Sequence, residues 1–446
     1  MTDLEQKAGR NLTGGRTPAF EMRGTLAVLT LFVFLNYLDR YALSILLEPI
    51  KTDLRLSDTQ IGLLTGAAFA LLYSTMALPV ARLAEHGNRI YVLVGAVLIW
   101  SSGTALCGVA GGFVGLFLAR MLVGLGESGA IAPAQSIIGD GVPLARRGSA
   151  LAILSTGGAL GTALAPAIGG ALETKFGWRG AFLALGAIGL PVAVLVLAMA
   201  KDPPRGHSDG LSGSASRPPP FMVAIKRLFA RPSFALLVPA MVATGLAEYS
   251  FFLWLPSYFA RAFGETTIAI GTQLTLFQGV PLLAGTMLGG VLCDRLIRRD
   301  MRWMAWLPAL GTLVAAASMC LLFLLRSKEL ALAMLIIPSI ACGLYLAPAY
   351  AMIQTLAGAR SRATATAVLT FLVNIIGLGL GPVLIGGISD LLHARFGDDS
   401  LRYALFVVPP LYVISGLAYL AVSLRFRAGL ASVAQENVTL SDVSDT

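Results

Sequence analysis

The chain has 446 residues, of which 56% are hydrophobic and 13% are charged, against about 25% charged residues in a soluble domain. Its mean hydropathy of +0.77 excludes a soluble globular protein and indicates an integral membrane protein made of helices. The formal net charge of +9 is spread over short loops, which argues against a nucleic-acid partner.

The cysteines and histidines form no pattern that binds a metal or performs catalysis. The four cysteines fall in separate apolar runs and the three histidines in separate loops, so the spacing of metal ligands is missing. The sequence shows no Ser-His-Asp set and no HExxH motif. We therefore expect no metal, no cofactor and no enzymatic activity.

Twelve apolar runs follow one another along the chain, each long enough to cross about 30 Å of hydrocarbon as a helix. We number them spans 1 to 12. Residues 1–22 precede span 1 without an apolar core and are predicted to form a tail. The approximate limits of the spans are 24–50, 58–81, 90–111, 113–139, 147–172, 179–200, 234–259, 268–293, 303–325, 330–356, 363–389 and 401–424.

The distribution of lysine and arginine predicts which side of the membrane each loop faces. If both termini are cytoplasmic, 22 of these residues lie inside and nine lie outside, and Arg40 and Arg120 lie within spans. This asymmetry follows the positive-inside rule. We expect a monomer that crosses the cell membrane many times with both termini in the cytoplasm. In a Gram-negative source this membrane would be the inner one.

The longest interruption lies between spans 6 and 7, at residues 201–232, and is rich in Ser, Gly and Pro. Near its end, apolar residues from Phe221 to Phe229 recur at helical spacing beside Lys226 and Arg227. This pattern favours a short amphipathic helix on the inner leaflet of the membrane. A plain basic linker is the alternative.

The linker separates two halves that repeat each other in sequence. The first half covers residues 23–200 and the second residues 233–426, with a tail at 427–446. Pro166, which precedes a pair of glycines in span 5, matches Pro382 in span 11. Two copies of a six-helix unit place a binding site at their interface, as in alternating-access transporters. The sequence thus predicts an all-α integral membrane protein with twelve transmembrane helices in two six-helix pseudo-repeated halves.

Four charged residues lie inside spans 1 and 4, where hydrocarbon surroundings are expected. Asp39 and Arg40 lie in span 1, and Arg120 and Glu127 lie two helical turns apart on nearly the same face of span 4. A charge at that depth costs at least about 2.5 kcal/mol, so each is expected to face the protein interior and to have a partner.

Several motifs resemble those of the major facilitator superfamily over nearly the full length of the chain. Residues 79–89 and their repeat at 289–295 are similar to the loop signature of the superfamily. Residues 120–127 resemble its fourth-helix motif associated with proton coupling, and residues 161–170 resemble its fifth-helix motif of antiporters. Residues 36–40, 57–64 and 126–129 resemble the spinster-like group within this superfamily.

The resemblance implies that spans 1, 4, 7 and 10 line a cavity between the halves. It also implies that the four charged residues meet beside that cavity. In this hypothesis Asp39 or Glu127 exchanges the coupling proton, and Arg40 and Arg120 assist it and hold an anionic head group of the substrate. The alternative is a static polar lock between spans 1 and 4 that performs no chemistry.

The spinster-like group includes exporters of sphingosine phosphate and lysophospholipids. The resemblance therefore implies a proton-coupled secondary transporter of an amphipathic, lipid-like substrate that works by alternating access. An organic-anion or sugar-acid proton symporter is one alternative, and a receptor of the same fold that moves nothing is another. An acid and several aromatic side chains of spans 7 and 10 are further candidates for substrate contact. They are Glu248, Tyr249, Phe252, Trp254, Tyr345 and Tyr350.

Charged residues in the loops after spans 2 and 8 are predicted to act as gates. An acid near the end of one span can pair with basic residues or a helix end across the bundle until the pairing breaks. Simple hydration of these loop charges is the alternative. The predicted gate residues are Arg82, Glu85, Arg89, Asp294 and Arg295.

Overall fold

The computed structural model describes residues 19–205, 221–357 and 361–444, and these ranges contain helices and no strand. Ten helices in them are long and apolar enough to cross a membrane. Two of these, Arg146–Met199 and Thr364–Ala431, have 54 and 68 residues, or about 80 and 100 Å at the rise of an α-helix. Each is long enough for two crossings, so the twelve spans predicted from the sequence are present.

The first half forms spans 1 to 6, with ends close to the predicted limits. Span 4 is interrupted directly after Glu127, and the turn between spans 5 and 6 lies at Gly177. The φ of Gly177 is 67°, in the left-handed region that favours glycine. The helices are Ala19–Leu54 (span 1), Asp58–Thr65 and Ala67–His86 (span 2), Arg89–Val109 (span 3), Phe113–Glu127 and Ile131–Gly141 (span 4), and Leu144–Met199 (spans 5 and 6).

The second half repeats this arrangement in spans 7 to 12. Span 10 is interrupted next to Tyr345, at the position that corresponds to the break in span 4. Spans 8 and 11 each contain one turn of π-helix, a feature often found at functional sites. The segments are Pro232–Phe263 (span 7), Thr267–Leu274, Thr275–Gly279 and Val280–Leu296 (span 8), Trp303–Leu324 (span 9), Lys328–Gly343 and Leu346–Ala357 (span 10), Arg362–Leu372, Val373–Leu378 and Gly379–Phe396 (span 11), Gly397–Asp399 as a 3₁₀ turn, and Ser400–Leu405 and Val408–Ser444 (span 12).

A short helix, Phe221–Phe229, precedes span 7 at the end of the linker. Ala224 and Leu228 are buried, and Leu228 belongs to the apolar core of the second half, whereas Met222 and Phe229 are exposed. The helix is therefore amphipathic, with one side packed on the bundle. We call the end of the bundle that carries this helix the linker end, and the opposite end the far end.

The apolar core is shared by the two halves at the far end and is divided between them nearer the linker end. One cluster there includes Leu56 of the loop before span 2 and Ile61 of span 2 together with Trp254 and Tyr258 of span 7. Toward the linker end the core divides into two clusters, one centred on the first half and one in the second. The halves are therefore packed together at the far end and lie apart nearer the linker end, with a cavity between them.

Two corners of the far end are closed by direct contact between backbones of the two halves. Gly62 of span 2 lies against the carbonyl of Pro382 in span 11, and Gly271 of span 8 lies against that of Pro166 in span 5. A Cβ atom at either glycine would overlap the carbonyl oxygen, so these crossings require glycine. The sequence repeat thus produces the same crossing at both corners.

Candidate functional site

Arg40 and Glu127 form a buried ion pair between span 1 and span 4. The Arg40 Nε atom donates a hydrogen bond of 2.7 Å to Glu127 Oε2, and Arg40 Nη2 lies 2.6 Å from the same oxygen. Arg40 is 7% exposed and Glu127 is 1% exposed. Because Glu127 is the last residue before the break in span 4, the pair lies directly beside that break.

Aromatic rings surround the guanidinium group of Arg40. Its Cζ atom lies 4.5 Å from the ring centroid of Tyr73, 4.9 Å from that of Phe69 and 5.1 Å from that of Tyr37. The Cζ atom of Arg120 lies 5.1 Å from the same Phe69 ring. Ring faces stabilise cations at these distances, so Phe69 joins both arginines into one cluster with Glu127.

Asp39 makes its direct hydrogen bond to span 3, and it is also close enough to Arg120 and Glu127 of span 4 to interact with their charges. Its Oδ2 atom accepts a hydrogen bond of 2.7 Å from Thr104 Oγ1, and it borders a crevice between spans 1, 3 and 6. Consecutive residues of a helix are about 100° apart around its axis, so Asp39 and Arg40 point in different directions from span 1. The four charged residues are therefore near one another, with Arg40 paired directly with Glu127 and Asp39 held by Thr104.

A cavity of about 420 Å³ lies between the halves, within the usual range for small-molecule sites. Spans of both halves form its wall, and Ser44 and Pro256 line it nearest the far end. The hydroxyl of Tyr345 donates a hydrogen bond to Glu248 Oε2 in this wall. Five residues singled out in the sequence line the cavity: Glu248, Tyr249, Phe252, Tyr345 and Tyr350.

The cavity residues that the sequence reasoning did not assign to a site include Tyr37 and Tyr41 of span 1 and Gln135 of span 4. The two tyrosines are four residues apart, which places them on one face of the helix. That spacing, next to the charged residues of span 1, was a usable signal for the tyrosines. Nothing beyond its polarity distinguished Gln135 in the sequence.

Three predicted substrate contacts do not line the cavity in this conformation. Arg40 lies against the ring of Tyr37, which itself lines the cavity, so the ion pair is directly behind the wall. Arg120 is likewise buried outside the wall. Trp254 is fully buried, and its Nε1–H donates a hydrogen bond of 2.9 Å to the carbonyl of Pro382. Trp254 thus packs span 7 against span 11 in this conformation, and its contact with substrate stays a prediction.

The far end carries a polar cluster that joins the halves and that sequence reasoning did not assign to a site. Asp58, at the start of span 2, accepts hydrogen bonds from Lys51 at 2.6 Å, Arg261 at 2.7 Å and Ser389 at 2.6 Å. Arg261, from span 7, also donates to Glu48 of span 1 at 2.7 Å. Opposite charges from both halves are therefore paired next to the apolar contact described above.

Asp390 of span 11 completes this cluster. Its carboxylate accepts hydrogen bonds from the backbone N–H groups of Asp58 at 2.9 Å and Thr59 at 2.8 Å. These N–H groups begin a helix, where an anion is favoured. We call the whole cluster the far-end lock, consisting of Glu48, Lys51, Asp58, Arg261, Ser389 and Asp390.

The predicted gate residues lie at the linker end and divide into two kinds. Arg89 is buried, and its guanidinium binds Asp202 at 2.5 Å, Asp140, and the carbonyl of Pro203 at 2.5 Å. It therefore ties spans 3 and 4 to the start of the linker within one half. The other four predicted gate residues are exposed: Arg82, Glu85, Asp294 and Arg295.

Comparisons of this chain with a family model and with known proteins agree on one family. A family model described as the Major Facilitator Superfamily matches residues 29–382. The chain is 31% identical to an MFS-type efflux pump of Mycolicibacterium smegmatis, over 92% of this chain and 94% of the relative. It is 28% identical to a sphingosine-1-phosphate transporter of Danio rerio, over 88% of this chain and 82% of the relative. It is 26% identical to a hexuronate transporter of Bacillus subtilis, over 86% and 93%.

A solved structure agrees with the helix arrangement described above. It is a crystal structure of a bacterial homologue of the human lysosomal transporter Spinster, in an inward-facing and unoccupied conformation. The TM-score is 0.83 at 29% sequence identity, covering 93% of this chain and 99% of the other. The chain therefore belongs to the major facilitator superfamily and is a spinster-like membrane transporter, not an enzyme.

Proposed function

We propose that this protein is a proton-coupled secondary transporter that moves an amphipathic, lipid-like substrate of the sphingoid or lysophospholipid class by alternating access. The observation that carries the proposal is the buried Arg40–Glu127 pair, which lies at the break in span 4 and directly behind the cavity wall. A proton and Arg40 compete for the carboxylate of Glu127. Protonation of Glu127 is therefore coupled to the arrangement of spans 1 and 4.

The arrangement of the halves supports a place for this conformation in the proposed transport cycle. The far-end lock and the two glycine crossings join the halves at the far end, and in our proposal they hold this end closed while the central cavity opens toward the linker end. With the linker end in the cytoplasm, as the positive-inside rule favours, this is the inward-open state. The outward-open state requires the far-end lock to break and the linker end to close, with Arg82, Glu85, Asp294 and Arg295 as gate residues there.

Proton binding and the change of state are connected through Arg40. Protonation of Glu127 removes the charge that pairs with Arg40, and an unpaired buried cation is unfavourable. The state in which Arg40 gains another partner is then favoured, so the proton shifts the equilibrium between states. Arg120, which contacts the same Phe69 ring as Arg40, adds a second positive charge near Glu127. Asp39, which Thr104 holds, is the second candidate to carry the proton.

The cavity wall supports an amphipathic substrate. Aromatic and aliphatic side chains form most of the wall, with a few polar groups among them, as in sites that bind an apolar body and orient a polar head. The similarity to the sphingosine-1-phosphate transporter favours the same class. The similarity to the hexuronate transporter favours the second candidate, an organic-anion or sugar-acid proton symporter.

Transport by purified protein in liposomes tests the proposal. The lumen and the bath are set at different pH, and the probes are a fluorescent lysophosphatidylcholine, sphingosine 1-phosphate and glucuronate. We expect the pH gradient to drive accumulation of the lipid probes. Glu127→Gln should retain exchange of the probe and lose the response to the gradient. Glu329→Gln, a change of the same chemistry at an exposed site, should behave like the unchanged protein.

The other outcomes each remove a defined part of the proposal. Lipid accumulation that ignores the gradient in the unchanged protein would remove proton coupling. A response to the gradient that persists in Glu127→Gln would remove Glu127 from that role. Movement of glucuronate alone would establish the second candidate, and binding of a probe without exchange would indicate a receptor.

A further inference from the structure

The charge of the cavity wall is negative, whereas a site that holds an anion is expected to be positive. Among the residues that the structure describes, the wall contains one carboxylate, Glu248, and no lysine, arginine or histidine. The two arginines once expected to hold an anionic head group, Arg40 and Arg120, are buried outside the wall. A negatively charged head group inside the cavity would thus meet a carboxylate of the same sign and no base.

Glu248 is placed to bind a ligand. It is partly exposed, and it lines the cavity. The Tyr345 hydroxyl donates to its Oε2 atom, which holds the side chain in place from the neighbouring break in span 10. In the first half the equivalent break in span 4 bears Glu127, and that carboxylate is neutralised by Arg40. No arginine or lysine is paired with Glu248 among the ion pairs of the described residues.

The aromatic side chains around the cavity strengthen a site for a cation. Besides Glu248, the wall contains the rings of Tyr37, Tyr41, Tyr249 and Tyr345, and ring faces attract ammonium and guanidinium groups. The same kind of interaction occurs elsewhere in the protein, since Arg40 lies within 5.1 Å of three ring centroids. A carboxylate next to several rings is the chemistry that recognises an organic ammonium ion.

We infer that the head group of the transported amphiphile carries a positively charged nitrogen, which binds Glu248 and the surrounding rings. This inference rests on the proposed function and narrows it to amines, quaternary ammonium compounds and zwitterions with such a nitrogen. The apolar body of the substrate lies along the aliphatic part of the wall, which includes Leu154, Met241 and Leu282. Simple sugar acids, which lack the cationic group, are excluded as ligands of this site.

Equilibrium binding with two ions of the same shape and opposite charge tests the inference. Radiolabelled tetraphenylphosphonium is the cationic probe and tetraphenylborate is the anionic competitor, with purified protein in a non-ionic detergent. We expect saturable binding of the cation and weaker competition by the anion, by about tenfold or more. Glu248→Gln should weaken cation binding by about thirtyfold. Glu248→Asp should restore part of it, and Glu329→Gln should leave it unchanged.

Three results would overturn the inference. They are equal competition by tetraphenylborate, unchanged cation binding in Glu248→Gln, and no saturable cation binding at all. The comparison of the two ions uses the unchanged protein, so the test does not depend on folding of the variant. The assay contains no pH gradient, and it is therefore separate from the transport test. Lipid transport without tetraphenylphosphonium binding would leave the proposed function intact and refute only the charge of the head group.

Discussion

The pair formed by Arg40 and Glu127 shows what a buried charge does at the scale of one residue. Both groups have lost their hydration, and their attraction roughly offsets that loss. The pair is therefore a weak source of stability as a whole, although each member strongly requires the other. Because of this dependence, protonation of Glu127 changes the interactions that hold spans 1 and 4 together.

We predict that Arg40→Leu lowers the free energy of unfolding by about 3–5 kcal/mol, because it leaves Glu127 buried without its partner. The double variant Arg40→Leu with Glu127→Leu should recover most of this loss, since neither charge then remains. Thermal unfolding of the purified proteins in detergent measures both effects. The double variant should nevertheless fail to respond to a pH gradient in liposomes.

A double variant as unstable as Arg40→Leu alone would contradict this account. It would show that the packing of the arginine on Tyr37, Phe69 and Tyr73, and not its charge, supports the fold. Asp39→Asn is the control from the neighbouring position. It keeps the partner Thr104, and it should change stability by less than Arg40→Leu does.

The sequence identified the charged residues of spans 1 and 4 that need partners, but it did not determine the direction in which each side chain extends. Depth and charge alone indicated that Asp39, Arg40, Arg120 and Glu127 need partners. Direction depends on the rotation of each helix about its axis, which the packing of neighbouring helices sets. Asp39 therefore faces span 3, and the arginines lie behind the cavity wall, which residue type and spacing alone did not determine.

At the scale of the helices, the spans were predicted from the sequence and their interruptions were not, although a proline follows each interruption. A run of about twenty apolar residues has few alternatives in a membrane, because every backbone group must be satisfied within the segment. The breaks after Glu127 and beside Tyr345 each precede a proline, Pro133 and Pro348, which is the third residue of the next helix. Because proline has no N–H group, the hydrogen bond to the residue four positions earlier is missing at both breaks. The two glycine crossings depend on which spans become neighbours.

We predict that Gly62→Val prevents closure of the far end, because the added side chain would overlap the Pro382 carbonyl in this state. The outward-open population should rise at the expense of the inward-open one. Spin labels at cysteines replacing Arg55 and Arg395, one in each half at the far end, would report a longer distance by double electron–electron resonance. Substrate exchange should slow for the same reason.

Gly95→Val is the matched control for this experiment. A Cβ atom at Gly95 in span 3 meets no other atom within 4 Å, so the same substitution changes helix propensity equally without disturbing a crossing. Its distance distribution should equal that of the unchanged protein. If Gly62→Val also left the distribution unchanged, the glycine crossing would not determine which state is stable.

At the scale of the whole molecule, the charges of the loops predict its orientation. We expect the linker end to be cytoplasmic, because it holds most of the lysines and arginines of the chain. A green fluorescent protein fused after Thr446 should fluoresce in a bacterial host, and alkaline phosphatase fused after Ser327, in the loop between spans 9 and 10, should be active. The reverse pattern would invert the orientation and make the observed conformation outward-open.

The far-end crossings at Gly62 and Gly271 have a consequence for energy conservation. At these two crossings, contact of backbone against backbone leaves little room for a file of water molecules along which hydronium could hop. While the cavity is open on the other side, such a seal limits futile dissipation of the electrochemical gradient. A substitution that loosened either crossing would then reveal itself as passive acidification of empty vesicles, even when no cargo is supplied.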